Sequence, residues 1–201
     1  MAGAHGESPE RLVVGLGNPG PEYAATRHNV GFRVVGLLAR RAGAVFVADP
    51  GLRGRVARVR IAGRDCALLE PATFMNRSGE SVGAALERWP ALAPERDLLV
   101  VLDDLDLPPG RLRLRPSGGA GGHRGLADIA RALATQALPR LRFGIGHPGT
   151  ATQVVDWVLE PFSASEEAEI LPAALERAAD AVECVVGEGL TVAMGRFNAV
   201  A

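Results

Sequence analysis

The sequence contains no lysine, since all 22 of its basic residues are arginine. This absence excludes reactions that need a lysine amine, including Schiff-base formation and the lysine of a phosphate-binding P-loop. Cysteine is almost as scarce, and Cys66 and Cys184 stand apart from each other with no Cys-x-x-Cys pair. We therefore expect two reduced thiols in a cytosolic protein, rather than a disulfide framework or a cysteine zinc site.

Long hydrophobic runs are missing as well. No stretch approaches the roughly 18 apolar residues that a membrane-crossing helix needs. Residues 1–10 have neither the basic part nor the apolar part of a secretory signal. These absences predict a cytoplasmic protein with no membrane partner, in which residues 1–10 form a flexible tail.

The remaining composition is that of a globular domain with unevenly placed charge. The chain has 201 residues, of which 47% are hydrophobic, and this is enough for one sizeable core. The formal charge is only −1, but residues 1–142 hold 20 of the 22 arginines and 14 of the 23 acidic residues. This basic part of the chain could hold a polyanion, whereas residues 143–201 are acidic.

Apolar periodicity predicts a single α/β domain over residues 11–201. The patterns indicate strands at 11–16, 54–60, 66–70, 98–102, 111–115 and 141–145, and helices at 30–42, 78–89, 124–135 and 165–187. Hairpins occur among alternating strands and helices, so we expect one mixed β-sheet covered by helices on both faces. In such sheets ligands bind beyond the carboxyl ends of the strands.

A glycine-rich turn, GLGNPG at residues 15–20, follows the first predicted strand. It matches the GxGxxG pattern of dinucleotide-binding folds, but Pro19 removes an N–H that a pyrophosphate would need. The next candidate acid, Asp49, also comes later than the ribose contact of those folds requires. A tight turn explains the glycines but not Asn18, whose amide can both donate and accept. A nicotinamide or flavin enzyme stays an alternative.

Of the four histidines, His28 is the favoured general base, because it follows this turn and has polar neighbours on both sides. Asp103 and Asp104 end a buried strand, and one of them could accept the Nδ1–H of a histidine and fix its tautomer. A Mg²⁺ site is less favoured, since no further oxygen ligands lie at a suitable spacing. For His123, in a glycine-rich loop, a ligand contact and a structural role are equally compatible with the sequence.

Two further segments indicate contacts with a ligand. The glycine-rich stretch 116–125 precedes a helix, and its N–H groups suit a phosphate. Arg124 in this stretch and the arginine face of residues 111–115 are better explained by a nucleic-acid backbone than by a plain loop. Phe74 lies between a strand and a helix, and a Phe-Met pair usually packs in a core. Because Thr73, Asn76 and a helix start flank this pair, a ligand platform is the alternative.

In combination, these segments resemble the bacterial-type peptidyl-tRNA hydrolases. The likeness is carried, in the family's order and spacing, by GLGNPGPEYAATRHNVGF, PATFMNRSGESV, DDLDLPPG, GGAGGHRGLADI, LRFGIGHPG and GRFNA. The resemblance implies a monomeric α/β protein that hydrolyses the ester between a peptide and the terminal ribose of tRNA. It implies neither a metal nor another cofactor.

The resemblance also implies roles for single residues. By position, the catalytic His, the Asp that steadies it and the Asn that distinguishes blocked from free aminoacyl groups fall on His28, Asp103 and Asn18. Contacts with the tRNA end fall on Tyr23, Phe74 and Asn76.

Arg124 departs from the family pattern, which usually has Asn after the His of the GGH loop. We expect Arg124 to bind the substrate too. Its departure is also the only support for a rival hypothesis, an RNA-binding protein that kept the fold and lost catalysis. The presence of His28, Asp103 and Asn18 together argues against that rival, because binding alone needs no base.

Overall fold

A seven-stranded sheet forms the centre of the computed structural model, which describes residues 8–199. Its strands are β1 (Arg11–Gly15), β2 (Val47–Asp49), β3 (Gly54–Ile61), β4 (Arg64–Pro71), β5 (Leu98–Asp104), β6 (Leu112–Arg115) and β7 (Arg140–Gly144). They lie side by side in the order β2-β3-β4-β1-β5-β7-β6.

The four central strands are parallel and the edges are antiparallel, which confirms the predicted mixed sheet. β1 pairs in parallel with β4 and β5, and β5 pairs in parallel with β7. β2, β3 and β4 form antiparallel hairpins, and β6 pairs antiparallel with β7 across a connection that contains α4. All seven residues of β5 are buried. Such a continuous apolar run is what a parallel strand covered on both faces requires.

Helices cover both faces of this sheet, as the sequence predicted. They are α1 (Val30–Arg41), α2 (Ser78–Arg88), α3 (Pro94–Asp97), α4 (Arg124–Ala132), α5 (Val154–Leu159), α6 (Leu171–Glu188) and α7 (Leu190–Phe197). Apolar residues of α1, α6 and α7 form one core cluster with the sheet, and those of α2 and α4 form a second cluster on its opposite face.

Two glycines let α1 approach the sheet closely enough to place the turn before it over the strand ends. A Cβ atom on Gly31 would lie 2.4 Å from the backbone nitrogen of Leu16 and 2.5 Å from the carbonyl oxygen of Val101. A Cβ on Gly15 would lie 2.4 Å from the carbonyl oxygen of Gly31. Only glycine fits at these positions, because the opposing atoms belong to the backbone. The start of α1 therefore lies against β1 and β5.

Several element boundaries differ from the predictions. The helix predicted at 165–187 begins at Ala164, one residue before the predicted start, but it winds as a π-helix over Glu166–Ile170 before the long α-helix that starts at Leu171. The helix predicted at 124–135 ends at Ala132, since Ala134 adopts a positive φ of 52°. The sequence did not predict four elements, namely β2, α3, α5 and α7. Each of them is short, and short elements give little periodic signal.

The expected N-terminal tail lies mostly outside the described residues, which begin at Ser8. Pro9 is buried, and the Glu10 N–H donates to the Asp65 carbonyl at 2.8 Å. None of the helices within residues 8–199 combines the length and apolar character needed to cross a membrane.

Both cysteines are buried and unpaired, as the sequence indicated. Burial raises the pKa of Cys66 to about 11 and also raises the pKa of Cys184. A thiol that stays protonated at neutral pH is a poor nucleophile, so neither cysteine is suited to covalent catalysis.

Candidate active site

A cleft of about 280 Å³ opens at the carboxyl ends of β1 and β5. Its walls are the turn after β1, the segment before α2, the glycine-rich loop before α4, and α5. The sequence-predicted residues that line it are Asn18, His28, Phe74, Asn76, Asp103 and Arg124. Tyr23 lies next to this set, with its ring centroid 6.4 Å from that of Phe74 in an edge-on contact.

His28 and Asp103 form a hydrogen-bonded pair at the base of the cleft. His28 belongs to a 3₁₀ turn, Arg27–Asn29, and its Nδ1 lies 2.8 Å from Oδ1 of Asp103, the penultimate residue of β5. Burial opposes ionisation of Asp103, but the charges and hydrogen bonds of His28 and His123 outweigh it and hold the pKa of Asp103 far below its usual range. The carboxylate therefore stays ionised and fixes Nδ1 as the donor, which leaves Nε2 of His28 as the free nitrogen.

His123 is a second imidazole on the same carboxylate, and the sequence did not settle its role. Its Nε2 lies 3.0 Å from Oδ1 of Asp103, and the Leu126 N–H donates to its Nδ1 at 3.2 Å. The second bond makes His123 the N-cap of α4. The signal in the sequence was the position of His123 directly before the predicted helix.

Asn18 is held so that one amide atom remains available. Its Oδ1 accepts the Met75 N–H at 2.8 Å, while Asn29 binds the Asn18 backbone at both ends, accepting the N–H at 2.8 Å and donating to the carbonyl at 2.9 Å. No acceptor within residues 8–199 is hydrogen-bonded to Nδ2 of Asn18. This clamp by Asn29 was missed, although an amide at that position is visible in the sequence.

Asp104 takes no part in the histidine pair. It forms an ion pair with Arg142 of β7, and burial raises its pKa. The structure thus selects Asp103 from the two candidate acids. The selection follows from strand geometry, because consecutive side chains of β5 point to opposite faces of the sheet.

The remaining binding candidates are exposed at the mouth of the cleft. Phe74 is 55% exposed, an unusual fraction for a phenylalanine, and Asn76 and Arg124 are exposed beside it. Arg124 begins α4 and has no ion pair within the described part of the chain. An exposed ring with polar neighbours is typical of a surface that stacks on a base.

The glycine-rich loop and β6 present further arginines and turns. Gly118, Gly121 and Gly122 all adopt positive φ, and Arg140 donates to the Gly118 carbonyl at 2.9 Å. In β6, Leu112 and Leu114 are buried while Arg113 and Arg115 lie on the other face, as the alternation predicted.

One arginine connects the turn Arg27–Asn29, which carries His28, to the wall formed by α5. Arg27 is only 4% exposed, and its guanidinium lies 3.7 Å from the ring centroid of Trp157 in α5. It also donates to the Pro161 carbonyl at 2.8 Å and to Glu166 at 3.2 Å. Arg27 is therefore a buried anchor rather than a ligand for the substrate.

His28, Asp103 and His123 are close enough together to be tested as a metal site. In the neutral ring of His123, Nδ1 accepts a backbone N–H, so the proton must be on Nε2, and that nitrogen has no lone pair for a metal. The three side chains form a hydrogen-bonded chain, and the donor set does not fit a metal ion.

Comparison with known proteins places the chain in a family. A sequence model described as peptidyl-tRNA hydrolase matches residues 12–201. The chain is 51% identical over 187 residues to the peptidyl-tRNA hydrolase of Chloroflexus aggregans, covering 93% of this chain and 98% of that protein. It is 48% identical over 190 residues to the one from Symbiobacterium thermophilum, covering 94% and 98%.

The fold agrees with this match. The crystal structure of peptidyl-tRNA hydrolase from Acinetobacter baumannii superposes with a TM-score of 0.88 at 41% identity, covering 96% of this chain and 98% of that one. Likeness of this extent in both sequence and fold decides against the nicotinamide or flavin enzyme that the GxGxxG match left open. The chain belongs to the peptidyl-tRNA hydrolase family.

Proposed function

We propose that this protein hydrolyses the ester between a peptide and the terminal ribose of tRNA, with His28 as the general base. The observation that carries the proposal is the 2.8 Å bond from His28 to Asp103 in a cleft that also contains the Asn18 amide. Membership of the family supports the reaction, and this geometry supports the roles of the residues.

The reaction needs no covalent intermediate, because an ester is already activated toward water. Nε2 of His28 removes a proton from a water molecule, and the resulting hydroxide attacks the ester carbonyl carbon. The tetrahedral oxyanion then collapses, the bond to the ribose oxygen breaks, and His28 returns its proton to that oxygen. Asp103 stabilises the imidazolium that exists between these two proton transfers.

Asn18 is suited to recognise the group next to the reacting carbonyl. Its free Nδ2 can donate to a carbonyl oxygen of the peptide or to the developing oxyanion, an interaction worth roughly 3 kcal/mol. A free aminoacyl-tRNA instead brings an ammonium group, which is costly to desolvate beside an amide donor. This difference accounts for a preference for blocked aminoacyl groups.

The tRNA end is bound by the exposed residues at the mouth of the cleft. Phe74, with Tyr23 against its edge, offers a face for a terminal base, and Asn76 offers an amide to it. Arg124 is placed to contact a phosphate of the acceptor end. Since one chain supplies the whole site, we propose a monomer, acting in the cytoplasm where tRNA is used.

Turnover by a His28→Ala variant tests the proposal. We expect kcat on N-acetyl-aminoacyl-tRNA to fall by at least about 10³-fold, since the general base is lost, while the affinity for the tRNA changes little. Ester cleavage and filter binding would measure the two effects. His147→Ala is the matched control, because His147 lies in an exposed turn outside the cleft. Near-normal rates for His28→Ala would refute the assignment.

A further inference from the structure

Asp103 receives two imidazoles on a single oxygen atom. Its Oδ1 lies 2.8 Å from Nδ1 of His28 and 3.0 Å from Nε2 of His123, and the centroids of the two rings are 5.0 Å apart. A second donor on one acceptor reduces the charge that the acceptor offers to the first donor. The His28–Asp103 bond therefore depends on His123.

The backbone of α4 decides which nitrogen of His123 carries the proton. The Leu126 N–H donates to Nδ1, so Nδ1 holds a lone pair and Nε2 holds the hydrogen of the neutral ring. The side chain of His123 is only 8% exposed, so water competes little for these bonds. His123 is consequently a donor to Asp103 without having to be charged.

We propose that His123 is a positioning residue for the hydrolysis, which keeps Asp103 in line with His28 and limits how strongly the carboxylate stabilises the protonated His28 ring. The inference rests on the proposed role of His28 as the base. With that stabilisation limited, the protonated His28 ring releases its proton more readily to the leaving ribose oxygen. His123 acts through Asp103 and exchanges no proton with the substrate.

The other charged groups around His28 are not hydrogen-bonded to the Asp103 carboxylate. Asp104 and Arg142 neutralise each other, and Arg27 points away toward Glu160 and Glu166. Arg124 follows His123 at the start of α4 and lies at the mouth of the cleft. A change confined to the His123 side chain removes none of these groups.

The His123→Asn variant should remove the hydrogen bond to Asp103 and keep the hydrogen bond from the Leu126 N–H. An Asn side chain can still accept the Leu126 N–H, because Asn is a good N-cap, but it is too short to reach Asp103 as well. We expect α4 to remain folded, which a thermal melt would check. His147→Asn is the matched control, since His147 also accepts a backbone N–H and has no bond to Asp103.

The main measurement is the pH dependence of kcat/KM. In His123→Asn, the carboxylate acts on His28 alone, so we expect the acidic limb of the profile to move up by about 0.5 to 1 pH unit. The variant should then lose about 3-fold to 10-fold more activity near pH 6 than at the plateau. A loss equal at all pH values would mean a merely structural role and would overturn the proposal.

Ring-nitrogen NMR provides a test that does not depend on activity. The chain has only four histidines, so the signals of His28 and His123 can be assigned by substitution. The wild-type protein should show the Nε2–H tautomer of His123, and the opposite tautomer would overturn the proposal whether or not any variant folds. In an Asp103→Asn background, His123→Asn should no longer move the His28 titration. If His28→Ala kept full activity, the proposed function would fail, whereas these NMR results would still report on His123.

Discussion

Asn18 leaves only its Nδ2 free toward the cleft, because its other polar atoms are held by the protein. The Met75 N–H occupies Oδ1, and the side chain of Asn29 occupies both backbone groups. Fixing an amide in this way determines which of its ends faces the cleft. At the scale of the residue, the chemistry of the site therefore depends on neighbours that do not touch the substrate.

Asn18→Asp tests the proposed role of the Asn18 amide. The substitution keeps the Oδ1 acceptor for the Met75 N–H and replaces only the Nδ2 donor, by a carboxylate oxygen. We expect kcat/KM on N-acetyl-aminoacyl-tRNA to fall by about 10²-fold, since a donor to the oxyanion is lost. Cleavage of free aminoacyl-tRNA should fall less, because the new carboxylate can pair with the ammonium group. The ratio of the two rates measures the discrimination.

Asn76→Asp is the control for the added charge, since Asn76 lies in the same cleft. It should weaken tRNA binding for both substrates by like-charge repulsion and leave the ratio of their rates unchanged. A ratio that stays at the wild-type value in Asn18→Asp would contradict the role given to Asn18.

The sequence sufficed to nominate the residues that the structure brings together, but not those that support them. His28, Asp103 and Asn18 could be nominated because each follows a strand end or a turn, where sites form. His123 and Asn29 act through the direction of one side-chain atom, and that direction depends on packing between distant segments. The position of the two acids at the strand end did not decide between Asp103 and Asp104, and only the resemblance to the family assigned the role to Asp103.

At the scale of the element, the contact between α1 and the sheet sets the position of the turn Arg27–Asn29, which carries His28. The atoms that face Gly31 are backbone atoms of Leu16 and Val101. Backbone atoms cannot move aside as a flexible side chain can. His28 precedes Gly31 by less than one turn of helix. A displacement of α1 would therefore displace His28, the proposed base, together with the helix.

Gly31→Ala should destabilise the protein by about 3 kcal/mol, because the added methyl group overlaps the backbone of β1 and β5. Urea unfolding would measure the loss. Gly36→Ala is the matched control in the same helix, since the nearest atom to its Cβ is Arg40 Nη1 at 3.7 Å. That substitution should stabilise α1 by about 0.5 to 1 kcal/mol, as alanine favours helix. Equal stability of the two variants would contradict the close packing.

The elements that the sequence predicted are the long ones with regular periodicity. β5 and α1 agree with prediction to within two residues at each end, because apolar runs and glycine stops mark them. The π-helical turn before α6 could not be predicted, since the acidic run at 166–169 has the composition of an ordinary helical turn. Its π-helical winding accompanies ion pairs with Arg27 and Arg33, which lie far away in the chain.

At the scale of the molecule, part of the uneven charge cancels on folding. Arg27, Arg33 and Arg41 pair with acidic residues of the C-terminal region, such as Glu166, Glu167 and Glu183. Within residues 8–199, no ion pair involves Arg113, Arg115 or Arg124. Part of the positive charge that remains for a polyanion thus lies on β6 and at the start of α4.

Glu70 makes the stability of the whole molecule depend on pH. It is 7% exposed, and burial raises its pKa to about 7, with Arg55 opposing the shift. The folded protein thus binds the Glu70 proton more tightly than the unfolded chain does. The contribution of Glu70 to stability is therefore fully present below its unfolded pKa, near 4.5, and is lost as the pH rises through about 7.

Glu70→Gln should remove this decline, which amounts to at most about 3 kcal/mol. Urea unfolding between pH 4.5 and pH 8 would measure the slope. Glu80→Gln is the control, because hydrogen bonds from Arg77 lower the pKa of Glu80, so its carboxyl does not titrate in this range. An unchanged slope in Glu70→Gln would show that Glu70 is ionised throughout the range in the folded protein.

The buried guanidinium of Arg27 has a consequence for how the cleft can open. It joins the residue before His28 to Trp157 of α5 and to the chain beyond it, through a ring contact and hydrogen bonds. We therefore expect helix α5 and the turn Arg27–Asn29 to move together as one unit. A bulky peptide would then be accommodated on the opposite side of the cleft, which consists of the glycine-rich loop before α4 and the exposed ring of Phe74. The spacing between His28, the proposed proton-transferring group, and Asp103 would be preserved.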